Sequence, residues 1–123
     1  MANKFAFGKK SLERLSQCHP DLQKIANELI KELDVSILCG FRGEKEQNQA
    51  FINGKSKLKW PRSKHNKTPS LAIDMAPYPI DWKNIGRFID MCDRIKRIAG
   101  ELGIKIKQGR EFNFKDYPHT ELV

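Results

Sequence analysis

Apolar residues recur along this chain with two different spacings, which divide it into helical and extended segments. Between Leu22 and Leu33 they repeat every three or four residues, and this spacing predicts an amphipathic core helix. The same spacing runs from Trp82 to Leu102, where we expect a helix of about 20 residues, about 30 Å long, with Trp82 facing inward. Asp81 suits the N-cap of this helix and Gly103 its C-cap.

Four shorter stretches are apolar or alternate between apolar and polar residues, which predicts strands. They cover residues 34–42, 71–76, 104–107 and 119–123. The first is β-branched and bounded by glycine, so we expect a central strand with Arg42 at its end. Short helices are predicted from Ser11 and from Gly43 to the Asn53-Gly54 stop, followed by a basic loop. The pattern therefore predicts an α+β fold, a small antiparallel sheet with flanking helices.

Length, charge and cysteine content narrow the class of protein. The 123 residues are enough for one domain, 1–123, that buries a core without needing a metal to fold. No apolar run has the length of a membrane span or of a signal-peptide core, so we expect a cytoplasmic protein as synthesised, and a monomer. Cys18, Cys39 and Cys92 form an odd set with no close pair, which predicts buried free thiols. The net charge of +8 predicts attraction to polyanions, either nucleic acid or anionic cell-wall polymer.

Two of the three histidines lie beside carboxylates in segments that flank predicted strands. His65 precedes the apolar strand that carries Asp74, and His119 begins the last strand, three residues after Asp116. A carboxylate inside an apolar strand needs a cationic partner, and an ordinary salt bridge is the alternative that Asp74 alone leaves open. Two imidazoles and one carboxylate, however, make up the three protein ligands of an open catalytic zinc site. The sequence therefore predicts a Zn²⁺ site formed by His65, Asp74 and His119.

Hydrolysis at such a site needs a base and a cation for the developing oxyanion. Asp116 is the candidate base, with Glu121 as its rival because Glu121 shares a strand face with His119. Turn capping is the structural alternative for Asp116. Arg42, at a strand end, is the candidate for oxyanion stabilisation, with an ion pair to Glu44 or Glu46 as its alternative.

The two remaining polar candidates have structural alternatives. Ser63 either hydrogen-bonds substrate or holds the loop before His65. The third histidine, His19, precedes a proline suited to a first helical turn and is expected to be structural.

These segments resemble the zinc D-alanyl-D-alanine carboxypeptidase/dipeptidase and L-alanyl-D-glutamate endopeptidase family, especially its small phage endolysins. The similarity runs almost end to end and includes Gly40-Phe41-Arg42 with Glu46-Gln47, Ser63-Lys64-His65, Ala72-Ile73-Asp74 and Asp116-Tyr117-Pro118-His119. Two features depart from the family pattern. Ser70 stands where glycine is common, in a loop two residues longer than usual, and residues 108–112 replace a Trp-Gly-Gly-Asp-Trp segment.

The resemblance implies a hedgehog/D,D-peptidase-like fold and a single catalytic domain. It implies zinc bound by His65, Asp74 and His119, with Asp116 as general base and Arg42 as stabiliser of the tetrahedral intermediate. Ser63 and Gln47 are the expected substrate contacts.

The implied substrate is the bacterial peptidoglycan stem peptide, cut between L-alanine and D-glutamate. The basic surface is expected to hold anionic wall polymers, and a membrane-permeabilising partner to give access to the wall. The alternatives are a D-alanyl-D-alanine carboxypeptidase and, from another class, a small nucleic-acid-binding module built on Trp60 and nearby lysines. We expect no nucleic-acid partner, because no recognition motif accompanies the charge.

Overall fold

The computed structural model describes residues 4–123, and within this range four α-helices accompany one four-stranded sheet. The helices are α1 (Lys9–Leu15), α2 (Pro20–Leu29), α3 (Glu44–Ile52) and α4 (Ile85–Leu102), and the strands are β1 (Val35–Cys39), β2 (Ala72–Pro77), β3 (Ile106–Gln108) and β4 (His119–Leu122). Two short 3-10 turns, Lys64–Asn66 and Gly109–Glu111, precede β2 and β4. None of the described helices has the length and apolarity that crossing a bilayer requires.

The sheet is antiparallel throughout, with strand order β1-β2-β4-β3. This confirms the predicted α+β class, but the prediction that residues 34–42 form a central strand is wrong, because β1 is an edge strand. Helix α1 covers that edge: the Ser11 hydroxyl accepts from the Ile37 amide at 3.0 Å, and Arg14 Nη1 donates to the Ile37 carbonyl at 3.0 Å. The apolar signature of β1 therefore reflects cover by a helix instead of by a second neighbouring strand.

The core lies between the sheet and helices α2 and α4, which pack against each other. Its fully buried side chains include Leu22, Ile25, Leu29, Met91 and Ile95. The three-to-four spacing predicted Leu22, Ile25, Leu29 and Ile95 correctly but not Met91.

The start of α4 differs from the prediction. Asn84, whose side chain accepts from the Arg87 amide, is the N-cap, whereas Asp81 accepts from the Lys83 amide in a preceding turn. The helix therefore begins at Ile85, and Trp82 is 60% exposed instead of facing inward. Gly103 is the C-cap as predicted, with a φ of 71° in the left-handed region that suits glycine.

Candidate metal and active site

Strand register brings three potential ligands into one row across the sheet. Asp74 on β2 pairs with His119 on β4 and, across a bulge, with Cys39 at the end of β1. Asp74 and His119 therefore lie side by side although they are far apart in sequence. The strand pair β2/β4 thus positions two of the three predicted zinc ligands.

His65 reaches the same place from a 3-10 turn that is capped at its start. The Ser63 hydroxyl accepts from the His65 amide at 3.2 Å, and the Asn66 side chain accepts from the Ser63 amide at 3.0 Å. The Arg42 amide donates to the His65 carbonyl at 2.8 Å, which ties the turn to the end of β1. The predicted loop-holding role of Ser63 fits these contacts, and its substrate contact stays a prediction.

Ser70, which replaces a glycine of the resembled family, is part of the same support. Its side chain is fully buried, and its hydroxyl lies 3.1 Å from the Gly40 carbonyl and 2.6 Å from the Ala72 carbonyl. The Gly40 carbonyl also accepts from His65 Nδ1 at 2.8 Å. The longer loop before β2 is therefore fastened to the carbonyl that orients His65.

Both imidazoles contact one carboxylate oxygen. His65 Nε2 and His119 Nδ1 each lie 3.2 Å from Asp74 Oδ1. In a tetrahedral zinc site with bonds of roughly 2.0–2.1 Å, neighbouring ligand atoms are about 3.3 Å apart. Each of these nitrogen-to-oxygen distances is therefore close to one edge of a zinc coordination tetrahedron.

The outer nitrogens of the two rings fix which atoms face the carboxylate. His65 Nδ1 must donate to the Gly40 carbonyl, and His119 Nε2 donates to Glu121 Oε1 at 2.8 Å. In their neutral forms both rings therefore turn a lone pair toward Asp74, which is itself an acceptor. Three acceptors that meet in this way need a shared cation or added protons. An outer acceptor on each ring is also the usual support of a metal-binding histidine.

The pKa values of His65, His119 and Asp74 also indicate that this site favours positive charge on the two rings. Burial opposes the charged form of His65, but the charge and hydrogen bond of Asp74 outweigh it and raise the pKa of His65 to about 10. Burial likewise opposes charge on His119, yet its bonds to Asp74 and Glu121 raise its pKa to about 9. Burial alone would raise the pKa of Asp74, and the two rings hold it well below its usual range.

Asp116 lies at the edge of this cluster, in reach of Asp74 and His119. One carboxylate or imidazole atom from each of these three residues falls within 4.8 Å of the others. Burial, and secondly the charge of Asp74, raises the pKa of Asp116 above 3.8. A carboxyl group with a raised pKa beside a ligand cluster suits a general base.

Gly109 allows the chain to place Asp116 there. The Asp116 amide donates to the Gly109 carbonyl at 3.0 Å, and the His119 amide donates to the Asp116 carbonyl at 3.1 Å. A Cβ atom at position 109 would overlap the Asp116 carbonyl and lie 2.9 Å from the His119 Cβ. Only glycine therefore permits this close approach.

Arg42 points into the cluster and does not pair with Glu44 or Glu46. Its Nη2 lies 3.5 Å from Asp74 Oδ2, and its Nη1 donates to Gln47 Oε1 at 3.1 Å.

Gln47 is fully buried, and its amide nitrogen donates to the Ser56 hydroxyl and the Leu58 carbonyl. The predicted substrate contact of Gln47 stays a prediction, whereas its visible contacts orient Arg42 and hold the basic loop.

Cys39 is a member of the cluster that sequence reasoning missed. It is half-buried, and its sulfur lies with ligand atoms of His65 and Asp74 in a second group whose members are within 4.8 Å of one another. Asp74 belongs to both groups. The only sequence signal for Cys39 was its position three residues before Arg42 at the same strand end. The candidate metal site therefore consists of two groups that share Asp74, one with His65 and the Cys39 thiol and the other with His119 and Asp116.

One cleft of about 1130 Å³ is lined by Arg42, His65, Asp74, Asp116 and His119. The lining also includes Glu121, residues of the basic loop before Ser63, and the aromatic residues Trp82, Phe112 and Phe114. An acyl substrate of peptide size fits such a volume. His19 lies outside this cleft, where its Nδ1 accepts from the Asp21 amide at 3.0 Å as the N-cap of α2.

Comparisons with known proteins agree along nearly the whole chain. A family model described as phage L-alanyl-D-glutamate peptidase matches residues 3–123. The L-alanyl-D-glutamate peptidase of Escherichia phage T5 is 36% identical over 124 residues, an alignment that covers 96% of this chain and 89% of that protein. The crystal structure of the Serratia marcescens L-Ala D-Glu endopeptidase ChiX superposes with a TM-score of 0.82 at 25% identity, covering 98% of this chain and 92% of that one.

Proposed function

Because the chain belongs to the family of phage L-alanyl-D-glutamate peptidases, we propose that it hydrolyses the L-alanyl-D-glutamate bond of the peptidoglycan stem peptide with the help of zinc. The observation that carries the zinc proposal is the shared contact of His65 Nε2 and His119 Nδ1 with Asp74 Oδ1 at 3.2 Å. The hedgehog/D,D-peptidase-like α+β fold and the peptidase class follow from the family.

The donor set fits zinc better than it fits magnesium or calcium. Two imidazole nitrogens and one carboxylate are the mixed nitrogen and oxygen ligands that zinc accepts, whereas magnesium and calcium prefer oxygen alone. We infer that His65, Asp74 and His119 would hold the ion. A zinc ion bound there supplies Lewis acidity, which brings the pKa of water to about 7 and polarises the scissile carbonyl.

Asp116 supplies the proton transfers of the reaction. Its raised pKa makes the carboxylate a stronger base than an ordinary aspartate, which suits it to take a proton from the attacking water. The same carboxyl group then gives that proton to the amine of the departing D-glutamyl residue. Such a base contributes roughly 10²–10⁴-fold to the rate.

Arg42 stabilises the negative charge that develops on the carbonyl oxygen. Its guanidinium is fixed by Gln47 Oε1 at 3.1 Å and is therefore preorganised before substrate binds. Its present contact with Asp74 Oδ2, at 3.5 Å, is long enough to leave hydrogen-bonding capacity for substrate.

Glu121 is better suited to positioning than to proton transfer. One of its oxygens accepts from His119 Nε2 at 2.8 Å and the other lies 3.2 Å from Lys64 Nζ. Burial would raise the pKa of Glu121, but its bonds to His119 and Lys64 lower it. A carboxylate held in this way is a weaker base than Asp116.

Long-range attraction to the wall follows from the charge of the chain. With a net charge of +8, the surface is expected to bind anionic wall polymers, and this attraction weakens as salt rises.

Product analysis tests the proposal. A purified stem peptide incubated with the protein should yield a new D-glutamate amino terminus, and a chelator should abolish this product. Release of free D-alanine instead would establish the D-alanyl-D-alanine carboxypeptidase alternative. Cleavage that is indifferent to chelator would refute the role of zinc.

A further inference from the structure

The proposed substrate carries a negative charge close to the bond that is cut. A glutamyl residue has two carboxyl groups, and the peptide chain continues through only one of them. Whichever is used, the other remains free within a few covalent bonds of the scissile amide. This inference rests on the proposed function, because it concerns how the D-glutamyl residue is recognised on the leaving side.

A carboxylate that enters a partly desolvated cleft requires a cationic partner. The cations that line the cleft are Arg42, Lys55, Lys57, Arg62, Lys64 and Lys115. Four of them already have partners.

Arg42 contacts Asp74 and Gln47, and Lys64 contacts Glu121 and the Leu122 carbonyl. Lys115 donates to the Arg110 carbonyl, and Lys57 lies 5.3 Å from the centre of the Phe114 ring.

Arg62 and Lys55 remain: both are exposed residues of the cleft lining, and within residues 4–123 neither side chain has a hydrogen-bond or ion-pair partner. Arg62 is the nearer in sequence to the cluster. It lies three residues before His65, so the two Cα atoms are at most about 11 Å apart. Its own backbone is held by a bond from its amide to the Lys59 carbonyl at 2.9 Å, and the next residue is the buried cap Ser63.

The loop that carries Arg62 is preformed. The Gln47 side chain donates to the Ser56 hydroxyl and the Leu58 carbonyl, and the Trp60 amide donates to Asn48 Oδ1 at 3.1 Å. A guanidinium on such a loop offers two parallel donors that match the geometry of a carboxylate. We propose that Arg62 binds the free carboxylate of the D-glutamyl residue and so determines specificity on the leaving side of the scissile bond.

A pair of substrates that differ only at that carboxylate tests this assignment. One peptide carries free D-glutamate and the other D-isoglutamine, in which the free carboxylate is an amide. Wild-type protein should cleave the acid with a kcat/KM roughly 10- to 100-fold above that of the amide. Arg62→Ala should lose this preference by losing activity on the acid alone, whereas Arg62→Lys should keep part of it.

The control is Lys59→Ala, which removes a cation of the same loop that lies over Phe51, outside the cleft. It should keep the wild-type preference. Circular dichroism confirms folding, and the more conservative Arg62→Gln replaces Arg62→Ala if the latter fails to fold.

Equal loss on both substrates, or an unchanged preference in the variants, would overturn the role of Arg62. So would a wild type that cleaves both peptides equally, although it would leave the proposed function intact. A wild type that cleaves neither peptide would refute the proposed function itself.

Discussion

Removal of the Glu121 carboxylate should weaken zinc binding. Glu121 Oε1 accepts from His119 Nε2 at 2.8 Å, and this bond turns Nδ1 of the ring toward Asp74. The other carboxylate oxygen, 3.2 Å from Lys64 Nζ, ties β4 to the residue that precedes His65. One side chain therefore orients one proposed ligand directly and braces the segment of another.

The expected magnitude follows from these two contacts. A partly buried, charge-assisted hydrogen bond contributes about 1.5–3 kcal/mol, which corresponds to roughly 10- to 150-fold in an equilibrium constant. Loss of the outer partner of a metal-binding histidine typically costs about 10- to 100-fold in metal affinity. We therefore expect Glu121→Ala to raise the zinc dissociation constant by roughly 10- to 100-fold.

Two further variants separate the contacts. Glu121→Gln keeps an oxygen for His119 Nε2 but loses the ion pair, so it should weaken zinc binding less than Glu121→Ala. Lys64→Met loses the ion pair together with the bond to the Leu122 carbonyl, leaves the Glu121–His119 contact intact, and should therefore weaken zinc binding less than Glu121→Ala. Competition with a chromogenic chelator measures the affinity in the absence of substrate. If Glu121→Ala bound zinc as tightly as wild type yet lost turnover, Glu121 would be the base and the assignment of Asp116 would be refuted.

The other predictions concern single side chains around the cluster. Cys39→Ser should retain zinc and activity because His65, Asp74 and His119 suffice as ligands; loss of zinc measured by metal analysis would make Cys39 a ligand. Asp116→Asn should reduce turnover roughly 10²–10⁴-fold but raise the melting temperature of the metal-free protein at pH 7. Because the pKa of Asp116 is raised in the folded protein, ionisation of Asp116 lowers the free energy of unfolding as pH rises through that pKa. Near pH 3 the carboxyl group is protonated, so the variant should not be more stable than wild type there. A lower melting temperature of the variant at pH 7 would contradict the raised pKa of Asp116. Gly109→Ala should cost about 1–3 kcal/mol in urea unfolding because its Cβ overlaps the Asp116 carbonyl. Gly100→Ala, with open space around it in α4, is the control and should not destabilise; equal effects would refute the steric argument.

The sequence predicted the convergence of His65 and His119 on Asp74 better than it predicted the ends and edges of the fold. Asp74 could be singled out because a carboxylate inside an apolar strand needs compensation, and this signal does not depend on strand pairing. The helical stripes of α2 and α4 were likewise predictable, because they arise from a local period.

The wrong or missing predictions concern features that depend on contacts between residues distant in sequence or on competing local turns. The edge position of β1 depends on Ser11 and Arg14 of α1, more than 20 residues earlier in the chain. Trp82 continued the apolar period but lies before the cap at Asn84, and the competing turn at Asp81 could not be weighed from spacing. Cys39 joined the cluster only through its pairing with Asp74 across a bulge, which no local pattern indicates.

The central claim is that His65, Asp74 and His119 share one zinc ion, and a crystal measured at the zinc absorption edge tests it most directly. An anomalous peak is expected roughly 2.0–2.2 Å from His65 Nε2, His119 Nδ1 and one Asp74 oxygen. A peak bound by Cys39 and His65 without His119, or no peak in protein that still cleaves the stem peptide, would contradict the account.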